Sequence, residues 1–329
     1  MPKQRYESGP FRIGDRVQIT GPKNKLNTIT LEPGGVFHTH RGPIKHDVII
    51  GLPDGSVITN EAGQEHLLLR PLLTDFVMSM PRGAAIIYPK DAQVILGMLD
   101  AYPGATIIEA GVGSGALSLW LLRAIGADGH LYSFERRDDF AHVAKANAQV
   151  YFGLEPENWT VTVGDLVDAL PDAIVAGHAD RAILDMLAPW ECIDAVSEAL
   201  APGGVLVCYV ATVTQMSRTV EAIRHSGRFT HPQSSETMLR GWHVEGLAVR
   251  PDHRMIGHTG FLVSARRLAP NTVLPDLKRR ASKSDFSDED VEIWTPGAIG
   301  ERTVSDKVLR KRVRSAQRSA ALGEPGGSD

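Results

Sequence analysis

Cysteine is scarce in this chain: 329 residues carry only Cys192 and Cys208, which excludes a fold stapled by disulfides. One thiol sits at the start of an expected helix and the other inside an expected buried strand. They suit separate core thiols in a reducing compartment. Long apolar runs are absent too, and nothing approaches the ~18 residues of a membrane span. The opening MPKQRYESGPFRIGDRV has no apolar centre of the kind a signal peptide needs. The expectation is therefore a cytoplasmic protein without a membrane partner. Neither sign of charge dominates, since 35 Lys and Arg face 39 Asp and Glu. Global charge announces no nucleic-acid binding, so any RNA-facing surface must be local or assembled by oligomerisation. No internal repeat of 20–50 residues is present. What the chain does have is a 43% apolar fraction, enough for a substantial core in one large or two modest domains.

The remaining sequence is organised around Thr106–Leu117, TIIEAGVGSGAL. An apolar run suits a buried strand. Glu109 follows, then Gly111, Gly113 and Gly115, then ALSLWLLRAIG with helical spacing. A strand–glycine–helix unit lets a ligand approach backbone where a Cβ would clash, and it aims helix N-terminal N–H groups at that ligand. Dinucleotides want G-x-G-x-x-G. Here the spacing is G-x-G-x-G, with an acid two residues before the first glycine. That acid repels a pyrophosphate and suits a cation, such as the amino group and sulfonium of S-adenosylmethionine. Glu135, closing the second strand in HLYSFE, suits a ribose diol.

From Phe11 to Arg70 the text is β-like: RVQIT, TITL, DVIIG, SVITN and HLLLR are strand-sized runs, with a hairpin signal at Asp54-Gly55. A small β domain is expected over 11–70, after a loose tail at 1–10. Its His38, His40 and His46 lack a clear metal-ligand geometry, and no metal is expected. Arg41 and Lys45 are either loop residues facing a substrate or partner, or ordinary solvated charges. Residues 71–104 read as bridging helices. Within them, Tyr88-Pro89-Lys90-Asp91 either starts a helix, with Asp91 as a cap, or lines a ligand pocket.

Strands and helices then alternate. Strands are expected at 105–110, 130–135, 159–164, 181–185 and 204–210, with helices at 115–125, 138–150, 189–200 and 214–226. Further strands are expected at 242–250 and 257–267. This is an α/β pattern, a Rossmann-like domain over 105–269 whose parallel sheet is covered on both faces. Ligands in such sheets sit beyond the carboxyl ends of the strands. That rule gathers Glu109, Glu135, Asp165 and Asp185 on one rim; four successive strand-end acids exceed what helix capping alone would need. Residues 270–329 mix charges and thin out in aromatics, as a disordered tail does. RKRVRSAQRSAAL at 310–322 reads as a solvated segment or an RNA-contacting arm.

Several strings together carry a family resemblance: RGPIKHDVIIG, MPRGAAIIYPKDA, IIEAGVGSGALSLWLLRAIG, YSFERRDDFAHVAKAN, LDMLAPWECID, YVATVTQMSRTVEAI and GHTGFLVSARR. Over about 11–269 the chain resembles the tRNA (adenine-58-N1)-methyltransferases of the bacterial and archaeal homotetrameric type, in a version that looks actinobacterial. The glycine motif alone says only methyltransferase; the YPKDA, LDMLAPW and GHTGFL strings are more specific. The resemblance implies a class I methyltransferase domain behind a β-rich domain, a homo-oligomer, S-adenosylmethionine as cofactor and tRNA as partner. It carries donor binding onto Glu109, Gly111, Gly113, Ser114, Gly115, Ala116, Leu117, Glu135 with Arg136, Asp165 for the donor's adenine, and Asp185. It carries catalysis onto Asp185, in D-x-x-x-P-W, and Tyr88.

Adenine N1 has a free lone pair at neutral pH, so no strong base is required. Methylation makes the ring cationic, and a carboxylate accepting from N6–H₂ stabilises that charge and orients N1. The same acceptor discriminates against guanine, which presents O6 there. His258 and Thr259 either complete the pocket or bond their own hairpin. Three other readings remain: a methyltransferase acting on a protein carboxylate or small molecule, a nicotinamide oxidoreductase, and a non-catalytic RNA-binding subunit. Glu109 and the glycine spacing disfavour the oxidoreductase, while the intact turn and Asp185 disfavour the non-catalytic subunit.

Overall fold

A computed structural model of the chain describes residues 9–22, 25–83, 85–275, 310–311, 313–315 and 317–318. The N-terminal part holds β1 (Arg16–Gly21), β2 (Lys25–Thr30), β3 (Val36–Thr39), β4 (Gly42–Lys45), β5 (Val57–Thr59) and β6 (Glu65–Leu69). Four of them form an antiparallel sheet in the order β2-β1-β6-β5, and β3 and β4 make a separate hairpin. Inward-facing Val17, Ile19 and Leu68 pack with Phe11, Leu31 and Ile44 into a small core.

Two expectations fail in this part. DVIIG is not a strand. His46–Val48 is a 3₁₀ turn whose carbonyl at His46 accepts from Ile49 and Ile50, and the turn drops Ile49 into the core. A short apolar run carries no periodicity that separates the two outcomes. Asp54-Gly55 is a turn, with Gly55 at φ +83°, but it joins no hairpin. The reversal between β5 and β6 lies at 60–64, where Asn60 Oδ1 accepts from the backbone of Ala62 and Gln64.

The chain continues through α1 (Leu73–Ser79), α2 (Pro89–Leu99), β7 (Thr106–Ala110), α3 (Ala116–Ile125), β8 (His130–Glu135), α4 (Asp138–Phe152) and β9 (Trp159–Val163). Next come α5 (Leu166–Ala173), β10 (Ala179–Asp185), α6 (Ile193–Ala199), β11 (Leu200–Val210), α7 (Val213–Ser226), β12 (Gln233–Ser235), β13 (Trp242–Glu245), β14 (Ala248–Pro251) and β15 (Phe261–Arg266). The main sheet runs β12-β15-β11-β10-β7-β8-β9. Its pleat sorts side chains by parity. Ile107, Ile183 and Val207 pack with α2, α3 and α4 on one face, and Ile108, Leu184 and Cys208 pack with α5, α6 and α7 on the other.

The sheet is mixed rather than wholly parallel, because β15 runs antiparallel to β11 and β12 antiparallel to β15. The strand expected at 242–250 is instead the hairpin β13–β14, which folds back at Gly246 and stands apart from the main sheet. Its Val244, Leu247 and Val249 are exposed, so their apolar character marks a surface and not a core strand. Helix α5 is an element the sequence reading lacked, and the helix expected at 189–200 is a 3₁₀ turn at Pro189–Cys192 leading into α6. Both cysteines are buried free thiols. Among the described residues no helix is long and apolar enough to cross a membrane. The basic segment expected at 310–322 lies partly outside the described residues; within them, Arg318 pairs with Glu32 of the small domain.

Candidate active site

After β9 the chain crosses the sheet to enter β10 on the far side of β7, which makes the β7–β10 boundary the topological switch point. The glycine turn leaves β7 at that point. Gly111, Gly113 and Gly115 all have left-handed backbones, at φ +87°, +55° and +80°. Gly111 has a specific reason to be glycine: an added Cβ would lie 1.8 Å from the carbonyl oxygen of Asp185. The first turn of the motif thus presses against the end of β10. Gly115 packs against Ala144 of α4 and is the N-cap of α3, with no side chain bonding the first helical N–H groups. Those donors face whatever the turn binds.

Around this turn the expected residues occupy distinct positions. Glu135 ends β8 with Oε2 accepting from Gly113 N at 2.9 Å and Oε1 from Arg137 N at 3.0 Å. It braces the turn and keeps further lone pairs for a ligand. Glu109 sits within β7, fully buried; it accepts from Ser118 and Ser133, and Trp159 Nε1 donates on to Ser133. Desolvation pushes its carboxyl up to about 7, against the opposing pull of the two hydroxyls. Ser114 is buried, its Oγ accepting from Gly83 N, while Asn147 Nδ2 donates to the carbonyls of both Ser114 and Pro81. Ala116 and Leu117 point into the core, which leaves their backbone to the ligand. Asp165 lies beyond the end of β9 and caps α5 by accepting from Val167 N; it also pairs with the exposed Arg136. Strand termination at Asp165, as expected from sequence, is therefore corrected to a helix cap.

Asp185 is the last residue of β10 and keeps part of its surface open. Desolvation, then the charge of Glu135, pushes its carboxyl up to about 7. Tyr209 of β11 is its register partner and shares its face of the sheet. Tyr88 is the half-buried N-cap of α2. Beyond Asp185, Pro189 and Trp190 begin the 3₁₀ turn, with the Arg218 guanidinium 4.2 Å over the Trp190 ring.

The fit to a sulfonium donor follows from this geometry. A left-handed glycine turn, an uncapped helix start and two carboxyl groups, Glu135 and Asp185 at the carboxyl ends of β8 and β10, with the buried Glu109 behind them, make a cradle for a small cationic ligand and a poor one for a pyrophosphate. Residues 9–58 match the family model described as TrmI-like N-terminal, and residues 67–250 match that of the tRNA methyltransferase complex GCD14 subunit. The second match alone spans more than half of the chain. The chain belongs to the GCD14 family.

Among its relatives, the Thermus thermophilus protein named tRNA (adenine(58)-N(1))-methyltransferase TrmI is 34% identical over 79% of this chain and 97% of its own length. A Methanocaldococcus jannaschii relative named for adenine 57 and adenine 58 is 29% identical over 65% of this chain and 83% of its own. The tRNA (m1A58) methyltransferase TrmI of Aquifex aeolicus superposes with a TM-score of 0.70 at 27% identity, covering 79% of this chain and all of that one. A Thermotoga maritima structure titled as an S-adenosylmethionine-dependent O-methyltransferase superposes with a TM-score of 0.74 at 30% identity, over 80% and 96% of the two chains.

Sequence reasoning missed Tyr209 because its place beside Asp185 depends on strand adjacency. It also left Tyr88-Pro89-Lys90-Asp91 between two readings: the helix does start there, with Tyr88 as the N-cap of α2, but not through a cap by Asp91. Asp91 is fully buried and caps nothing: its oxygens accept from Lys90, Thr237 and Thr259. Thr259 spends its hydroxyl on this cluster, and His258 bonds Glu236 and the Ala211 carbonyl. His46, from the histidine set of the small domain, uses Nδ1 to accept from Glu32 N.

Proposed function

We propose that this chain transfers the methyl group of S-adenosylmethionine to N1 of adenine 58 in the T-loop of tRNA, giving 1-methyladenosine. The observation that carries the reading is the contact between the Gly111 turn and the end of β10, which sets Asp185 beside the donor cradle. The turn from Gly111 to Leu117 and the start of α3 would hold the donor's methionine end over Glu109. Glu135 would take the ribose, and Asp165 with Arg136 would take the donor's adenine. The bound donor supplies an electrophilic methyl on a sulfonium: the S–CH₃ bond breaks as the N1–CH₃ bond forms. Asp185 accepts from N6–H₂, orients N1 and stabilises the cationic ring. Asp185, pushed up to about 7 by burial and Glu135, would be drawn back down beside a bound sulfonium and would stay ionised as an acceptor. N1 lies on the pairing edge, so the base must leave its stack, and the half-buried Tyr88 at the start of α2 would offer it a ring face.

The full chain is read as a homo-oligomer, a tetramer, and the exposed apolar side chains of the hairpin β13–β14 support self-association. A cytoplasmic location suits the two free thiols. The division at 11–70, 71–104 and 105–269 accords with a separate small core in the first segment, and the sequence version remains the actinobacterial-looking one.

The deciding experiment uses labelled S-adenosylmethionine, unmodified tRNA transcripts and nucleoside analysis. Label in 1-methyladenosine, lost when adenine 58 is replaced, is the expected result. Donor binding with no transfer to any tRNA would overturn the substrate assignment and move the acceptor to a protein carboxylate or a small molecule.

A further inference from the structure

Lys90 and Asp91 form a buried ion pair in the first turn of α2, with Lys90 Nζ 2.8 Å from Asp91 Oδ1. The pair reaches far along the chain. Thr237 and Thr259, the two residues flanking the arm 238–258, both donate their hydroxyls to Asp91, one to each oxygen. Lys90 Nζ donates to Asp91, to the Thr237 carbonyl at 2.7 Å and to Thr259 Oγ1 at 2.7 Å, which accounts for all three of its protons. The Tyr209 hydroxyl belongs to the same cluster, and Gly260 has no Cβ because the Tyr209 ring occupies that space. Outside the buried layer, His258 pairs with Glu236 and ties the base of the arm to the end of β11 through Ala211.

A buried ion pair is a poor source of net stability, since desolvation offsets its attraction, and its better-attested use is to fix one arrangement. We infer that the Lys90–Asp91 pair is a positioning clamp: it locks the base of the arm 238–258 to the start of α2 and so holds Tyr88 and Tyr209 around Asp185. The inference rests on the methyl-transfer reading of that rim.

The test replaces Thr237 and Thr259 singly by valine, which keeps the shape and removes the hydroxyl, and by serine, which keeps the hydroxyl. Turnover, KM for tRNA and the donor dissociation constant are measured in the full-length protein. With Thr237→Val or Thr259→Val, kcat falls about 10- to 100-fold through misplaced groups, while the donor dissociation constant stays within about threefold. Serine at either position restores most of kcat. Wild-type kcat in both valine variants overturns the clamp, as does a serine variant that loses as much as its valine counterpart.

Amide hydrogen exchange provides a readout without turnover. In the valine variants residues 86–91 and 236–259 exchange faster together, while β7 and β10 do not change; unaltered exchange in those two segments refutes the clamp. A wild-type protein that binds donor but methylates no tRNA would defeat the functional reading instead, and the exchange result would still decide the clamp.

Discussion

Replacing Gly111 by alanine tests the central geometry of the site directly. The backbone there is left-handed at φ +87°, a conformation that costs an alanine about 1–2 kcal/mol. The added Cβ would lie 1.8 Å from the Asp185 carbonyl oxygen, where real Cβ atoms essentially never come within 3.0 Å. The difference, 3.0 − 1.8 = 1.2 Å, is the least that the end of β10 or the turn must move. Overpacking of this kind adds about 1–3 kcal/mol, so the total is roughly 2–5 kcal/mol. A typical domain has about 5–15 kcal/mol in reserve and would stay folded. Whichever side yields, the spacing between the donor turn and Asp185 would change by more than the roughly 1 Å that costs about 100-fold in rate.

The assay is thermal melting together with kcat on tRNA. Gly227→Ala serves as the reference, because Gly227, after α7, is left-handed at φ +62° but has nothing within 4 Å of its Cβ position. Gly111→Ala should melt several degrees lower than Gly227→Ala and lose at least about 100-fold in kcat, while Gly227→Ala keeps wild-type turnover. Equal melting and equal turnover in the two variants would refute the contact between the turn and β10.

Four further outcomes are expected. Asp185→Ala should bind donor normally yet lose about 100- to 1000-fold in transfer, and unchanged turnover would remove it from the mechanism. Gly113→Val places a β-branched residue at φ +55° in the donor turn and should abolish donor binding by calorimetry; normal affinity would misplace the turn. Glu109 is held at about 7 in the fold and returns to the ordinary glutamate value of 4.5 when unfolded, so the native state binds the extra proton and its stability contribution is lost as pH rises from about 4.5 through 7. Denaturant titrations of Glu109→Gln should therefore lose a pH slope worth a few kcal/mol across that window; a slope equal to wild type would contradict the burial argument. Leu247→Asp with Val249→Asp, on the exposed hairpin, should lower the mass seen by light scattering, and an unchanged mass would place self-association elsewhere.

Local chemistry made much of this protein legible in its sequence. The glycine turn, the strand–helix alternation from Ala105 to Ser226 and the acids near the strand ends follow from backbone permissiveness and from the periods of side-chain burial, which act over a few residues. Asp185 and Glu135 were identifiable for that reason. Tertiary structure decided the rest. Gly111 is required by a carbonyl 74 residues later, which only the adjacency of β7 and β10 reveals. Asp91 looked like a cap because its neighbours in sequence suggested one, yet its partners come from positions 237 and 259. The 242–250 segment reads as a strand in either setting; in the fold its two halves pair with each other as β13 and β14, while β12 takes the edge beside β15. Sequence sets what each short stretch prefers, whereas contacts between distant stretches are settled only when strand order brings their side chains within hydrogen-bonding or packing distance.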